Sequence, residues 1–418
     1  MDSIEVKGGI PLRGDVFISG AKNAALPIIA SALLVEGPCE FHNVPRLKDI
    51  DSILLLLEDL GCRTEQEGNR VLVDAGSLNR TEAAYDLVRK MRASILVLGP
   101  ILARLGRAKV SIPGGCAIGA RPIDLHLMGL EAMGAHCETH HGYVEATADR
   151  LRGADIYLDL PSVGATENLM MAACLAEGRT ILRNAAREPE ISALADVLNA
   201  MGALVQGAGT STITIDGVSS MKPVSASIIP DRIEAGTFLV AGALTGGDLT
   251  VKNCNPEHFA ALTDKLRATG ALVETGPDWA RVQGISPIRG VDITTQPYPG
   301  FPTDMQAQFM VLLCLAEGSS LVSETIFEGR FMHVGELQRM GASIALGKGN
   351  TAKVRGVAGL SGAPVMASDL RASACLILAG LVASNTTIVH RVYHLDRGYE
   401  AIEEKFSRLG ARIRRIRE

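Results

Sequence analysis

The pentapeptide Leu57-Glu58-Asp59-Leu60-Gly61 sets the fold of this chain, because it returns as LEAMG at 130–134, LNAMG at 198–202, LRATG at 266–270, LQRMG at 337–341 and FSRLG at 406–410. The closing glycines lie 73, 68, 68, 71 and 69 residues apart. A second marker is a small apolar run stopped by a turn residue, at Gly37, Gly106, Gly178, Gly246, Gly318 and Asn385. Its spacings are 69, 72, 68, 72 and 67. Two independent markers with one period near 70 identify six copies of one supersecondary unit.

Each copy has the same internal order. An apolar run (ALPIIASALL, ILVLGPILA, LMMAACLA, FLVAGALT, FMVLLCLA, SACLILAGLVA) predicts a helix stopped by Gly or Asn. A stretch of β-formers follows, such as RTILRN, DLTVKN or TTIVHR. An amphipathic helix then closes on the Leu-x-x-x-Gly signature. A hairpin turned at polar residues such as Glu67-Gly68-Asn69 or Lys348-Gly349-Asn350 ends the copy. The first helices are apolar nearly all round and are expected to be buried. The second carry a charged face and belong outside. The expected architecture is α/β, with helices in the middle and sheets on the surface. Six units divide three and three. The strand from Ser3 to Gly9 precedes the first unit, and the last hairpin is cut short at ARIRRIRE. The N-terminal strand is therefore expected to complete the second half. One domain then covers 22–230 and the other 1–21 plus 231–418.

Composition narrows the function. Of 418 residues, 47% are hydrophobic and 21% charged, with a net charge of −5, which excludes a disordered chain and a broad basic nucleic-acid face. The eight Cys show no CxxC pair and the nine His no HExxH, so neither a metal nor a disulfide framework is expected. The N-terminus, MDSIEVKGG, has neither the basic flank nor the apolar core of a signal peptide, and scattered thiols fit a cytoplasmic location. Residues 372–390 carry no charge, but the repeat register breaks them into helix, turn and strand, so no membrane span is expected.

The register also collects candidate site residues. Fourteen residues before each first-helix stop stand Asn23, Arg92, Gly164, Arg232, Asp304 and Arg371, with Lys22 beside the first. These are helix N-terminal positions, where the dipole disfavours a base. Several bases at one register suggest helix ends converging on an anion, or else bases that face solvent or pair with Asp231 and Asp369. The loops before the second helices add Lys48-Asp49, Arg121, Glu188, Glu257, Arg330 and Arg397. Local basicity on an acidic chain suits a small, multiply anionic ligand. The loop 113–122, PGGCAIGARP, reads as a flap. Cys116 at its tip is either a gap-filling thiol or a reactive one whose pKa Arg121 lowers. No phosphate loop and no GxGxxG after a strand is present.

The segments SGAKNAALPI, PGGCAIGARPIDLH, SVGATEN, NAAREPEI, PDRIEAGTFLVA, FPTDMQAQF, IFEGRFMHV, DLRASA and DRGYE together resemble the UDP-N-acetylglucosamine enolpyruvyl transferases, from residue 19 to residue 400. The resemblance implies a two-domain inside-out α/β barrel with three repeats per domain, helices inside and sheets outside. It implies transfer of the enolpyruvyl group of phosphoenolpyruvate to the sugar 3'-hydroxyl with loss of phosphate, the committed step of peptidoglycan precursor synthesis, without a cofactor or metal. On that resemblance Lys22, Arg121 and Arg397 hold the phosphate, with Asn23 beside Lys22, and Arg330 and Arg371 the carboxylate. Asp304 is the base that takes the hydroxyl proton and Cys116 the acid, the target of fosfomycin. Lys22 and Arg397 complete the catalytic set. Arg92, Arg121, Pro122, Ile123, Asp124, Leu125, Ser162, Val163, Gly164, Asp304 and Ile326 line the UDP-sugar site. Leu160 departs from members that carry Lys there. Two domains joined near residues 21 and 230 imply closure on the sugar nucleotide. The rivals are a 3-phosphoshikimate enolpyruvyl transferase, which should lack the Gly-Gly-Cys flap and the SVGATEN run, and a catalytically silent UDP-sugar-binding protein.

Overall fold

The computed structural model describes residues 2–88, 92–112 and 123–417, with the backbone alone at Arg92. The chain separates into two compact units, with boundaries between Ser19 and Gly20 and between Ile229 and Pro230. Each unit has its own apolar core, one drawn from residues 21–228 and the other from residues 4–18 and 233–411. The described residues form six four-stranded sheets, three in each unit.

The sheets share one plan. In the third repeat Asp155–Tyr157 runs parallel to Arg179–Arg183, which pairs antiparallel with Thr212–Asp216, and Leu204–Gln206 closes the far edge. The fifth repeat copies it with Ile293–Thr294, Ser319–Ser323, Thr351–Arg355 and Ser343–Gly347. Along Thr212–Asp216 the side chains of Ile213 and Ile215 are buried while Thr212 is exposed, so each sheet offers one face to the core and one to water.

The first helices fill the centre of each unit. Every residue of Arg232–Leu244 after Arg232 is buried, as is every residue of Gln306–Cys314. Together with Leu370–Val382 these helices pack on one another beneath their sheets. Apolar residues on all sides need burial on all sides, and the neighbouring helices and sheet supply it. The second helix of the first repeat, Lys48–Asp59, buries a stripe formed by Ile50, Ile53, Leu54, Leu56 and Leu57.

The N-terminal strand Ser3–Lys7 inserts between Thr386–His390 and Arg412–Ile416, antiparallel to both, and supplies the strand that the truncated last hairpin lacks. A further strand, Arg13–Phe17, escaped the sequence reading. It lies parallel to Asp248–Lys252, while Ser225–Ser227 lies parallel to Pro38–His42. The strand before each linker thus belongs to the other unit from the helix after it. The uncharged stretch 372–390 forms the helix Leu370–Val382 and the strand Thr386–His390, and no described helix is long and apolar enough to cross a membrane.

Candidate active site

The register positions of the sequence fall in first turns. Lys22, Val163 and Arg232 begin helices, Arg92 begins the short 3-10 segment Arg92–Val97, Asp304 sits in Thr303–Met305, and Arg371 is the second residue of Leu370–Val382. Asp231 and Asp369 stand at the N-termini of two of these helices. Each caps its helix, Asp231 accepting from the N–H groups of Ile233 and Glu234 and Asp369 from those of Arg371 and Ala372.

Within the unit containing residues 230–417, the convergence of charge is at Asp304. Its Oδ1 accepts from Arg330 Nη2 at 2.6 Å and its Oδ2 from Arg371 Nη2 at 2.8 Å. Both guanidinia are buried, with 4% and 6% of the side-chain surface exposed, and the Nη1 of each has no hydrogen-bond partner. Burial alone would raise the Asp304 carboxyl, but the charges of Arg371 and Arg330 outweigh it and hold it well below the usual carboxylate range. Arg371 lies against the Tyr399 ring at 5.5 Å and Arg330 against the Phe327 ring at 5.3 Å. Arg232 lies 5.6 Å from the Tyr298 ring.

A polar scaffold fixes this cluster from behind. The Tyr399 hydroxyl is 2.8 Å from Thr237 Oγ1 and accepts from Gln308 Nε2 at 3.2 Å. The same amide donates to the Asp304 carbonyl at 2.8 Å. Buried Glu324 accepts from the hydroxyls of Thr295 and Thr303, each at 2.9 Å, and from the N–H groups of Ile326 and Phe327. Glu324 therefore sets both the residue before Asp304 and the turn that carries Ile326. Arg397 is half-buried at the end of the 3-10 helix Val392–Arg397.

In the other unit, Lys22 Nζ donates to buried Asp49 at 3.0 Å, and Asn23 is half-buried beside it. Ser162 caps the helix Val163–Ala173 by accepting from the Ala165 N–H at 3.3 Å. His126 is 6% exposed and faces this turn, with Nε2 3.6 Å from where a Cβ on Gly164 would stand. The stretch Ile123–Leu125 thereby lies next to Ser162–Gly164. Asn168 fixes the histidine: its Oδ1 accepts the Gly99 N–H at 2.7 Å, so its Nδ2 donates to His126 Nδ1 at 2.9 Å. The proton of the neutral ring is then on Nε2. Burial lowers the His126 pKa to about 4. Leu160 is 69% exposed and offers no charge near this turn.

Cys116, Arg121 and Pro122 lie outside the described residues, as does the side chain of Arg92. Burial raises the thiol pKa of all seven described cysteines, for example to about 11 at Cys62 and about 12 at Cys174, so none of them is a thiolate at neutral pH. No group of described His, Cys, Asp and Glu residues has the arrangement of a metal site.

Comparison with known proteins shows the family. The model of the EPSP synthase (3-phosphoshikimate 1-carboxyvinyltransferase) family matches residues 6–406. The UDP-N-acetylglucosamine 1-carboxyvinyltransferases of Desulfatibacillum aliphaticivorans and Desulfosudis oleivorans are 63% and 64% identical, each over the full length of both chains. A solved enolpyruvyl transferase from Streptomyces tendae superposes with a TM-score of 0.90 at 28% identity, covering 99% of this chain and 98% of that one. A family model spanning nearly the whole sequence and full-length relatives at this identity show that the chain belongs to the 1-carboxyvinyl (enolpyruvyl) transferase family.

Proposed function

We propose that the protein transfers the enolpyruvyl group of phosphoenolpyruvate to the 3'-hydroxyl of UDP-N-acetylglucosamine and releases phosphate. The observation that carries this reading is the Asp304 carboxylate set between two buried guanidinia, each with an N–H edge still open. The reaction needs a base for the hydroxyl proton, cations for the anionic ends of the substrate and an acid for the methylene carbon. Asp304 serves as the base, and its low pKa keeps it ionised at neutral pH. Arg330 and Arg371 receive the carboxylate. Lys22, Asn23, Arg121 and Arg397 serve the phosphate.

Protonation of the methylene carbon by Cys116 makes its neighbour electrophilic. The sugar oxygen attacks there as Asp304 takes its proton, giving a tetrahedral ketal. The Cys116 thiolate takes a proton back from the new methyl group as phosphate departs, which restores the double bond. Lys22, Arg121 and Arg397 offset the charge that leaves with the phosphate. The turn at Ser162, Val163 and Gly164, the stretch from Pro122 to Leu125, Arg92 and Ile326 bind the sugar nucleotide. The domains 22–230 and 1–21 plus 231–418 divide these roles. The same reading makes the protein a cytoplasmic enzyme of peptidoglycan synthesis, required for cell shape and division and alkylated by fosfomycin at Cys116.

Phosphate release from phosphoenolpyruvate tests the reading. Release is expected with UDP-N-acetylglucosamine and not with shikimate 3-phosphate. Release with shikimate 3-phosphate alone would reassign the acceptor, and none with either would make the chain a binding protein.

A further inference from the structure

A carboxylate held between two cations is a poor proton acceptor, and Asp304 is held by the very groups assigned to the substrate. Each of its oxygens accepts from a different arginine. Each arginine has a second, buried edge with nothing to bind. Two fixed guanidinia with open N–H edges form a receptor for a further carboxylate, and the anion in it now is the chain's own.

The parts of this cluster differ in freedom. Arg371 is backed by the Tyr399 ring and Arg330 by the Phe327 ring. The Asp304 backbone is tied through its carbonyl to Gln308 and through Thr303 to Glu324. The Asp304 side chain keeps 26% of its surface exposed, against 4% and 6% for its two partners. Rotation of that one side chain changes the cluster without moving the arginines or the main chain. The other charged groups nearby have partners of their own. Asp231 and Asp369 hold helix N-termini, and His333, beside Arg330 and Asp369, is kept neutral by burial with a pKa of about 4.

We propose that Asp304 is a built-in stand-in for the substrate carboxylate: it occupies the Arg330–Arg371 pair in the empty enzyme and is released as a base when phosphoenolpyruvate takes that pair over. The proposal rests on the assignment of Arg330 and Arg371 to the carboxylate made above. It ties the strength of the base to the presence of the group that is to be attacked, because the cations that restrain Asp304 then acquire a second anion.

Calorimetric titration with phosphoenolpyruvate reads the competition directly. Asp304→Asn keeps the side-chain shape and removes the competing charge. It is expected to bind phosphoenolpyruvate about tenfold more tightly than the parent while losing turnover. Arg330→Met and Arg371→Met are expected to bind it more weakly. If both arginine variants bind as the parent does, the carboxylate assignment fails and the stand-in with it. If they lose affinity while Asp304→Asn gains none, the assignment holds and the stand-in is wrong. A crystal structure of the parent with phosphoenolpyruvate needs no variant to fold. Asp304 beyond salt-bridge reach of the two arginines supports the proposal, and both contacts intact beside bound phosphoenolpyruvate overturn it.

Discussion

His126 and His333 are neutral because they are buried, each with its pKa lowered to about 4. An unfolded histidine takes up its proton near pH 6.5, so between about pH 6.5 and 4 the unfolded chain binds more protons and stability falls as pH falls. Buried Glu167 and Glu234 act in the opposite sense, since burial raises their pKa values and the folded state protonates first. The test is therefore a difference between variant and parent. His126→Asn is expected to lose about 2–3 kcal/mol less than the parent between pH 6.5 and 4.5, measured by urea unfolding at each pH. Equal pH slopes would show that the ring is solvated. At this scale the sequence was readable where a residue type was out of place, as a base in a helix's first turn is. Arg371 came to notice that way, and Asp304, whose charge suits a first turn, by sharing its register with Arg92 and Arg371. Glu324, Gln308, Tyr399, Asn168 and His126 did not, because their roles depend on partners 29, 71, 162, 69 and 42 residues away.

At the level of the element, the first helices, second helices and hairpins were legible from periodicity and stops. The parallel strands that open the repeats were not. Glu82–Ala83, Asp155–Tyr157 and Ile293–Thr294 span two or three residues, too few to show alternation. Side chains rather than strand length secure some of these joints. Asn43, Asn184 and Asn253 follow strands at φ of 56°, 53° and 56° and donate to the carbonyls of Ile228, Leu158 and Ile18, at the ends of the parallel neighbours. Gly217 and Gly356 mark another recurrent joint, where the strand after the hairpin meets the end of a first helix. A Cβ would stand 1.8 Å from the Ala176 carbonyl oxygen at Gly217 and 1.6 Å from that of Ala316 at Gly356. Neither contact can relax at a side-chain tip. Gly356→Ala is expected to cost at least about 2 kcal/mol, read as a lowered urea midpoint with unchanged slope. A cost below 0.5 kcal/mol, the scale of an ordinary surface substitution, would mean that the helix end yields there.

Across the whole molecule, six copies and their grouping followed from arithmetic on two short markers, and the need for the N-terminal strand followed from a missing hairpin partner. What the arithmetic missed was the exchange at the linkers, where Arg13–Phe17 joins the repeat of Asp248–Lys252 rather than that of the helix it precedes. Ile4 and Val6 are fully buried in the sheet they complete. Deletion of residues 2–9 is expected to leave the unit from Gly20 to Ile229 folded and to expose the other. Limited proteolysis checks this: a resistant fragment ending near residue 229 is expected, and full-length resistance would show the strand to be dispensable.

The same strand has a consequence for synthesis. Ser3–Lys7 is made before the bulk of both compact units, yet its partner Arg412–Ile416 is made about 400 residues later. At roughly 5–20 residues per second that is a wait of about 20–80 s. During it, the unit from Gly20 to Ile229 can finish folding while a short β-strand with two apolar side chains stays unpaired. Glu5 and Lys7 alternate with Ile4 and Val6 along it. Charges so placed keep an unfinished edge soluble until Arg412–Ile416 arrives to seat it.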